Sequence, residues 1–200
     1  MSREKGPDIA LEAYRLLHAM QLQRETRLIV AGDGPEADTL KDLAAQYGLA
    51  DRVLFTGFVA RPVEVLSSMD AIVFSSRQEG LPLALLEGMA AGALPIVTRV
   101  GGMPEVINDP ELGWVVEAGD VAGLAQAMAE ATALDRPTIA ARRERVLERV
   151  RTGFDAQTTY RMLLDVAGLP SHAGSEPAVI AVARPAVVAE RRRAAAGSGW

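Results

Sequence analysis

Two hundred residues, 49% of them hydrophobic, suffice for one domain with one core and are too few for two large ones. Cysteine is absent, which rules out disulfides and thiolate metal sites, and two histidines, His18 and His172, are too few for a zinc site unless carboxylates join them. The net charge of −5, without a basic stripe through the body of the chain, argues against nucleic acid; the charged N-terminus is no signal peptide and no window is apolar enough to span a bilayer, so a cytoplasmic protein with a small-molecule ligand is expected.

Apolar periodicity predicts alternating helices and strands. A first helix is expected over 8–21, opened by Pro7, with Ile9, Leu11, Leu16 and Leu17 facing inward. RLIVAG (27–32) reads as a short strand ended by glycine, and 36–48 as a helix with Leu40, Leu43, Ala44 and Tyr47 on one face and Gly48 as its stop. VLFTG (53–57) is the next strand, 62–69 a short helix, and AIVFSS (71–76) a strand. A helix over 82–92 with Pro82 as its first residue, and a strand at LPIVT (94–98), follow. Beyond them the pattern gives a short helix at 104–107, a small strand at WVVE (114–117) and helices at 121–134, 138–150 and 154–166.

Strands that are apolar throughout, separated by helices, imply a parallel sheet covered on both faces: a doubly wound, Rossmann-like α/β domain over 1–168. Residues 169–200 change character. They are rich in alanine, proline and arginine and poor in large apolar groups, so disorder is expected there. The ERRR run at 190–193 is either a solvated tail or a contact for an anionic surface.

In such a sheet, ligands bind where the carboxyl ends of strands lead into helix N-termini. Three loops qualify, and each keeps two readings. Gly32-Asp-Gly-Pro-Glu-Ala37 has the outline of a dinucleotide fingerprint, which would suit an NAD-dependent oxidoreductase. However, the next strand carries no acid at its end and Pro35 removes an N–H, so a plain glycine-rich turn is the other reading. Around Gly101 and Gly102 the choice lies between an anion or sugar contact and an ordinary strand-to-helix turn.

EGLPLALLEGMAAG (79–92) is the most informative stretch. Gly80 and Leu81 lie on the turn before a helix whose exposed N–H groups favour an anion such as phosphate. Glu79 stands just ahead of that helix and Glu87 inside it. Among Leu83, Leu85, Leu86, Met89 and Ala90, Glu87 is expected on a helix buried nearly all round, where an unpaired carboxylate is costly. It therefore either binds a ligand, pairs with an arginine or reaches out to solvent.

The succession KGPDIALEA, LIVAGDGPE, VLFTGFV and SSRQEGLPLALLEGMAAGALPIVTRVGGMPEVI, over Arg3 to Val166, resembles the C-terminal, nucleotide-sugar-binding half of GT-B glycosyltransferases. In particular it resembles the large retaining group with the Glu, seven residues, Glu motif. The resemblance implies a hexosyltransferase-type enzyme. Glu79 would touch hydroxyls of the donor sugar, Glu87 would hold the nucleotide ribose, and the backbone from Gly80 through Leu81 and Pro82 to Leu83 would face the sugar and diphosphate. Val59 would lie at the nucleobase and Lys5 would be the cation beside the diphosphate, a catalytic role shared with Glu79. No metal and no other cofactor is expected.

The sequence also departs from that family. The Gly-Arg-Leu that usually precedes the Lys-Gly pair, the strand ahead of the first helix and the acceptor-binding N-terminal domain are missing. The resemblance therefore implies a truncated or split product that binds the donor weakly and transfers nothing alone, with a separate N-terminal acceptor domain as its partner. The alternative is a non-catalytic nucleotide-binding or regulatory module of the same fold.

Overall fold

The chain opens with a 3-10 turn at Arg3–Lys5, turns through Gly6 in the left-handed conformation (φ 60°) and enters helix α1 (Pro7–Ala19) with proline in its first turn. Proline is tolerated there because the first helical N–H has no intrahelical acceptor. α1 buries Ile9, Ala10, Ala13, Tyr14 and Leu17, the spacing of one helical stripe. Its start is fixed beside Ser75, whose hydroxyl donates to the Gly6 carbonyl at 2.7 Å. Further along, the hydroxyl of the fully buried Tyr14 donates to the Thr26 carbonyl at 2.8 Å, so this phenol enters the core with its polar end satisfied. This is a computed structural model; it describes residues 2–22, 24–154 and 179–183.

Strands β1 (Arg27–Ala31), β2 (Val53–Gly57), β3 (Met69–Phe74), β4 (Leu94–Thr98) and β5 (Trp114–Val116) alternate with helices. Those helices are α2 (Ala37–Gln46), α3 (Pro62–Leu66), α4 (Leu83–Ala90) and α5 (Met103–Val106), followed by α6 (Val121–Ala133) and α7 (Arg136–Gly153). β1 pairs with β2, β3 with β4 and β4 with β5, all parallel, with Leu28 opposite Val53, Ile72 opposite Pro95 and Ile96 opposite Trp114. Pro95 has no N–H to give, and it sits one residue before the ladder with β5 begins. β4 is buried throughout and β3 nearly so, the burial that explains their continuous apolar runs.

The crossover β1–α2–β2 runs one way across the sheet and β3–α4–β4 the other, so right-handed connections place α2 and α4 on opposite faces. α1 accordingly packs against α2 and α6, and α4 against α3 and α7. Because α1 starts beside the end of β3 and passes the beginning of β1, it runs back along the sheet against the strand direction.

Every helix and strand expected over 8–150 is present; the strands at 53–57 and 94–98 match to the residue, and no other end is shifted by more than three residues. Pro82 is the exception in kind: its extended backbone (φ −71°, ψ 121°) makes it the residue capping α4, which starts at Leu83. A larger difference lies in the tail. Val179–Ala183, within the segment expected to be disordered, forms strand β6, which lies between β1 and β3 and is antiparallel to both. The sheet order is β2-β1-β6-β3-β4-β5, so the doubly wound fold carries an antiparallel member at its centre. Averaging composition over the tail hid VIAVA, a run with three β-branched residues in five. The rest of 169–200, and all but Phe154 of the helix expected at 154–166, lie outside the described residues.

Candidate functional site

At the carboxyl edge of the sheet, the loops after β1, β3 and β4 meet the 3-10 turn that precedes α1. β1 leads toward β2 and β3 toward β4, in opposite directions, which makes this edge the switch point where α/β sheets hold ligands.

Lys5 and Glu79 come together here because two distant segments are tied together by hydrogen bonds. The Ser75 hydroxyl lies 2.7 Å from the Gly6 carbonyl and 3.2 Å from that of Lys5, and the Arg77 N–H donates to the Glu4 carbonyl at 2.7 Å. The Arg77 guanidinium donates to the Arg3 carbonyl (2.8 Å) and, with two nitrogens, to both oxygens of Asp8 (2.8 and 2.6 Å). This bidentate contact holds the Asp8 carboxyl below its usual range, against the opposing effect of burial. Gly6 is required: with φ 60°, any side chain there would run into the Ser75 carbonyl.

As a result Lys5 Nζ sits 2.6 Å from each oxygen of Glu79. Glu79 is 10% exposed and Lys5 27%, so the pair is part-buried yet open to the crevice. The Ser76 hydroxyl donates to Glu79 Oε2 at 3.1 Å, and the Thr98 hydroxyl donates to the Ser76 carbonyl at 2.7 Å. Ser75, Ser76 and Thr98 are all buried polar residues, and they connect the ends of β3 and β4 beneath the carboxylate. Sequence reasoning passed over Ser76; the signal was a pair of hydroxyls closing an otherwise apolar strand.

α4 has no side-chain cap; the Leu85 N–H donates to the Pro82 carbonyl at 3.0 Å, and those of Leu83 and Ala84 are left for another acceptor. Pro82 can contribute none, which leaves Gly80, Leu81 and Leu83 as the backbone donors of that turn. The loop after β4 supports the turn from behind: the Gly102 N–H donates to the Gly80 carbonyl at 2.9 Å, and Gly101 (φ 53°) lies so close that a Cβ would overlap the carbonyl oxygens of Glu79 and Gly80.

α4 is less buried than expected, and Glu87 takes the solvent-facing placement among those the sequence leaves open. α4 turns Leu83, Glu87 and Ala90 toward solvent, a stripe of spacing i, i+4, i+7, while Ala84, Leu85, Leu86, Gly88 and Met89 are buried. An exposed leucine at the head of that stripe made the helix look apolar all round. Among the described residues the Glu87 carboxylate has no hydrogen bond or ion pair. Leu83, 49% exposed, stands one turn nearer the crevice.

Val59 is half-buried two residues beyond β2, across the Gly32 loop from Glu79. That loop is tied to β2 by the Gly32 N–H, which donates to the Gly57 carbonyl at 2.9 Å. Phe58 beside Val59 is 66% exposed, an aromatic face at the same edge. The structure thus brings Lys5, Glu79, Gly80, Leu81, Pro82 and Leu83 together at one turn, with Glu87 one turn along α4 and Val59 farther off, on the loop after β2. Chemically this is a cation, a helix N-terminus with free donors and two carboxylates, an arrangement suited to an anion attached to hydroxyl-bearing groups. Among the described residues no helix is long and apolar enough to cross a membrane.

Residues 1–151 match the family described as Glycosyl transferases group 1. The N-acetyl-alpha-D-glucosaminyl L-malate synthase of Bacillus anthracis is 42% identical over 101 residues, covering 50% of this chain and 26% of the relative. The lipopolysaccharide core biosynthesis glycosyltransferase LpsD of Rhizobium meliloti is 34% identical over 155 residues, 76% of this chain and 44% of LpsD. Among solved structures, a TarM variant from S. aureus in complex with fondaparinux, alpha-GlcNAc-glycerol and UDP superposes with a TM-score of 0.73 at 18% identity, over 83% of this chain and 33% of TarM. The chain therefore spans less than half the length of these proteins, and what it shares with TarM is the fold of the Rossmann-like half of a GT-B glycosyltransferase. On the match over residues 1–151, the chain belongs to the family of group 1 glycosyl transferases.

Proposed function

We propose that this chain holds the donor in a retaining glycosyl transfer from a nucleoside diphosphate sugar, and that Glu79 and Glu87 are the paired acids of the Glu, seven residues, Glu group. The observation that carries this reading is Lys5 Nζ at 2.6 Å from both oxygens of Glu79, at the mouth of an uncapped helix N-terminus. The UDP bound by TarM supports it by analogy of fold.

In this reading the N–H groups of Gly80, Leu81 and Leu83 and the ammonium of Lys5 face the diphosphate. Glu79 accepts hydrogen bonds from sugar hydroxyls, and Pro82 shapes the turn. Glu87 accepts from the ribose, which suits an exposed carboxylate with no partner of its own, and Val59 contacts the nucleobase. In the transfer, the bond from the anomeric carbon to the leaving phosphate oxygen breaks and both electrons stay on the diphosphate. The acceptor oxygen bonds to that carbon on the same face, and its proton passes to the departing phosphate oxygen. Lys5 and the backbone donors lie where that negative charge grows; loss of one such preorganised donor typically slows a reaction about 100- to 1,000-fold. No metal is assigned a step.

The acceptor would be bound by a separate N-terminal domain, and residues 1–168 would be the donor half, unable to transfer sugar alone. Calorimetric titration of the 200-residue chain with UDP, GDP and NAD tests the reading. Saturable binding of UDP or GDP, lost in Lys5→Ala, is expected. Binding of neither, or NAD binding as tight as UDP, would refute the donor site, and sugar transfer by the chain alone would refute its dependence on an acceptor domain.

A further inference from the structure

Two buried hydroxyls stand beneath Glu79, at the ends of strands that are otherwise apolar. β3 and β4 pair from Ala71 opposite Leu94 to Phe74 opposite Val97. Just past that ladder, the Thr98 hydroxyl donates to the Ser76 carbonyl at 2.7 Å and carries the connection between the two strands on toward the crevice. The Ser76 hydroxyl in turn donates to Glu79 Oε2 at 3.1 Å. Ser76 and Thr98 are each 1% exposed, so neither hydroxyl is placed to meet water. Burying a hydroxyl is costly unless it finds a partner, and alanine or valine would have continued both apolar runs without that cost.

The use of the Ser76 hydroxyl follows from the acceptor positions of Glu79. A carboxylate offers about four of them on its two oxygens. Lys5 Nζ takes one on each oxygen and Ser76 takes a second on Oε2, which leaves the open position on Oε1. The backbone of the same residue is fixed from behind, where the Gly102 N–H donates to the Gly80 carbonyl and Gly101 lies against the carbonyls of Glu79 and Gly80. Among the described residues, Lys5 and Ser76 are the side chains that donate to Glu79. Lys5 is the less permanent of the two, because a bound diphosphate draws its ammonium. Ser76 is uncharged and buried, so it keeps its contact when that happens. A side chain already ordered in the free protein spares the ligand the entropic cost of ordering it.

We propose that Ser76, held in place by Thr98, is a positioning residue that aims the Glu79 carboxylate at a hydroxyl of the donor's sugar, an assignment that rests on the reading of Glu79 as the sugar's acceptor. Oε1 is the oxygen that meets the sugar hydroxyl, and Oε2 is the one kept by Ser76. The end of β4 therefore acts on the donor without touching it: Thr98 fixes the Ser76 peptide, and Ser76 fixes the carboxylate.

Calorimetric titration of the 200-residue chain with UDP, GDP and ADP, and with their hexose conjugates, tests this. The sugar's share is the ratio between the affinity of a conjugate and that of its bare nucleotide. Ser76→Ala should lower this ratio about tenfold, as expected for one hydrogen bond to a charged group, and move the bare nucleotide by less than about twofold. In the Glu79→Ala chain, Ser76→Ala should have no further effect, because the hydroxyl acts through that carboxylate. Thr98→Val should lower the ratio as well, whereas Thr98→Ser, which keeps the hydroxyl, should preserve it.

An equal loss for nucleotide and conjugate, or the same loss with Glu79 already removed, would overturn the assignment and reduce Ser76 to a structural role. A parent chain that binds nucleotides but gains nothing from any hexose would overturn it through its premise, that Glu79 accepts from the sugar. A parent that binds no nucleotide would refute the donor site itself, and the assignment with it. Should Ser76→Ala fail to fold, as its Tm would reveal, Thr98→Val against Thr98→Ser gives the same readings.

Discussion

Replacing Gly101 with alanine would push a methyl group into the backbone that carries Glu79. At φ 53° a residue with a Cβ pays about 1–2 kcal/mol for the left-handed conformation. The added carbon would also overlap the carbonyl oxygens of Glu79 and Gly80, and backbone cannot swing aside as a flexible side chain can. Relieving the overlap must stretch the 2.9 Å bond from the Gly102 N–H to the Gly80 carbonyl, a further cost of about 1 kcal/mol. The sum is about 2–3 kcal/mol, which for a chain of this size lowers Tm by about 4–12 °C.

Gly119→Ala supplies the reference. Its φ of 82° imposes a similar conformational cost, but a Cβ there meets nothing within 4 Å, so it should melt higher than Gly101→Ala and leave nucleotide affinity unchanged. Scanning calorimetry gives Tm, and titration with UDP gives affinity; Gly101→Ala should lose both stability and binding. If the two variants melt alike and both bind UDP as the parent does, the loop after β4 does not hold the turn at Glu79 and Gly80 in place.

Glu87→Ala should separate binding from stability. An exposed carboxylate without a partner contributes at most about 0.5 kcal/mol to folding, whereas under the proposed function, in which Glu87 accepts from the ribose, its loss should weaken UDP binding by about 1–3 kcal/mol in calorimetry. Asp8→Asn should make stability less dependent on acid. The folded-state pKa of Asp8 is depressed, so its stabilisation is present above its unfolded value and is lost as the pH falls through its folded value. The urea-measured difference between parent and variant should be constant at neutral pH and shrink below about pH 4, and its size should stay under about 1 kcal/mol because the pair with Arg77 is part-exposed. Tyr14→Phe should cost about 1–2 kcal/mol in urea unfolding, since it leaves the Thr26 carbonyl buried without its donor at 2.8 Å.

The alternation of elements was legible because each buried strand and amphipathic helix announces itself through local spacing, and Pro7, Gly48 and Pro62 punctuate it. The faces of α1 and α2 were legible in the same way, through Ile9, Leu11 and Leu17 and through Leu40 and Ala44; what failed was the outward face of α4. Leu83 is apolar and exposed, so the stripe it shares with Glu87 could not be told from core by residue type. β6 was illegible for a different reason: five residues of strand character inside an alanine- and proline-rich tail gain their structure from two neighbours distant in sequence. At the site, Lys5 and Glu79 could be named from motif resemblance, but the clamp that joins them could not. Arg77 and Asp8 look like ordinary surface charges until the fold sets them 2.6 Å apart.

The contact between Lys5 and Glu79 spans 74 positions of sequence, and the first turn of the chain is held by little else than the loop that follows β3. Such a segment, tied down through hydrogen bonds to a single loop, can open without disturbing the core, as a unit of low local stability. A ligand that touches both Lys5 and the Glu79 loop binds the closed arrangement and not the open one, so it should suppress this opening in proportion to its occupancy. The amides of Gly6 and Arg77, which donate to Arg3 and Glu4, should then exchange with deuterium more slowly when UDP is bound, while amides in β4 keep their rate. Donor occupancy would thereby be reported by the order of the N-terminal turn itself.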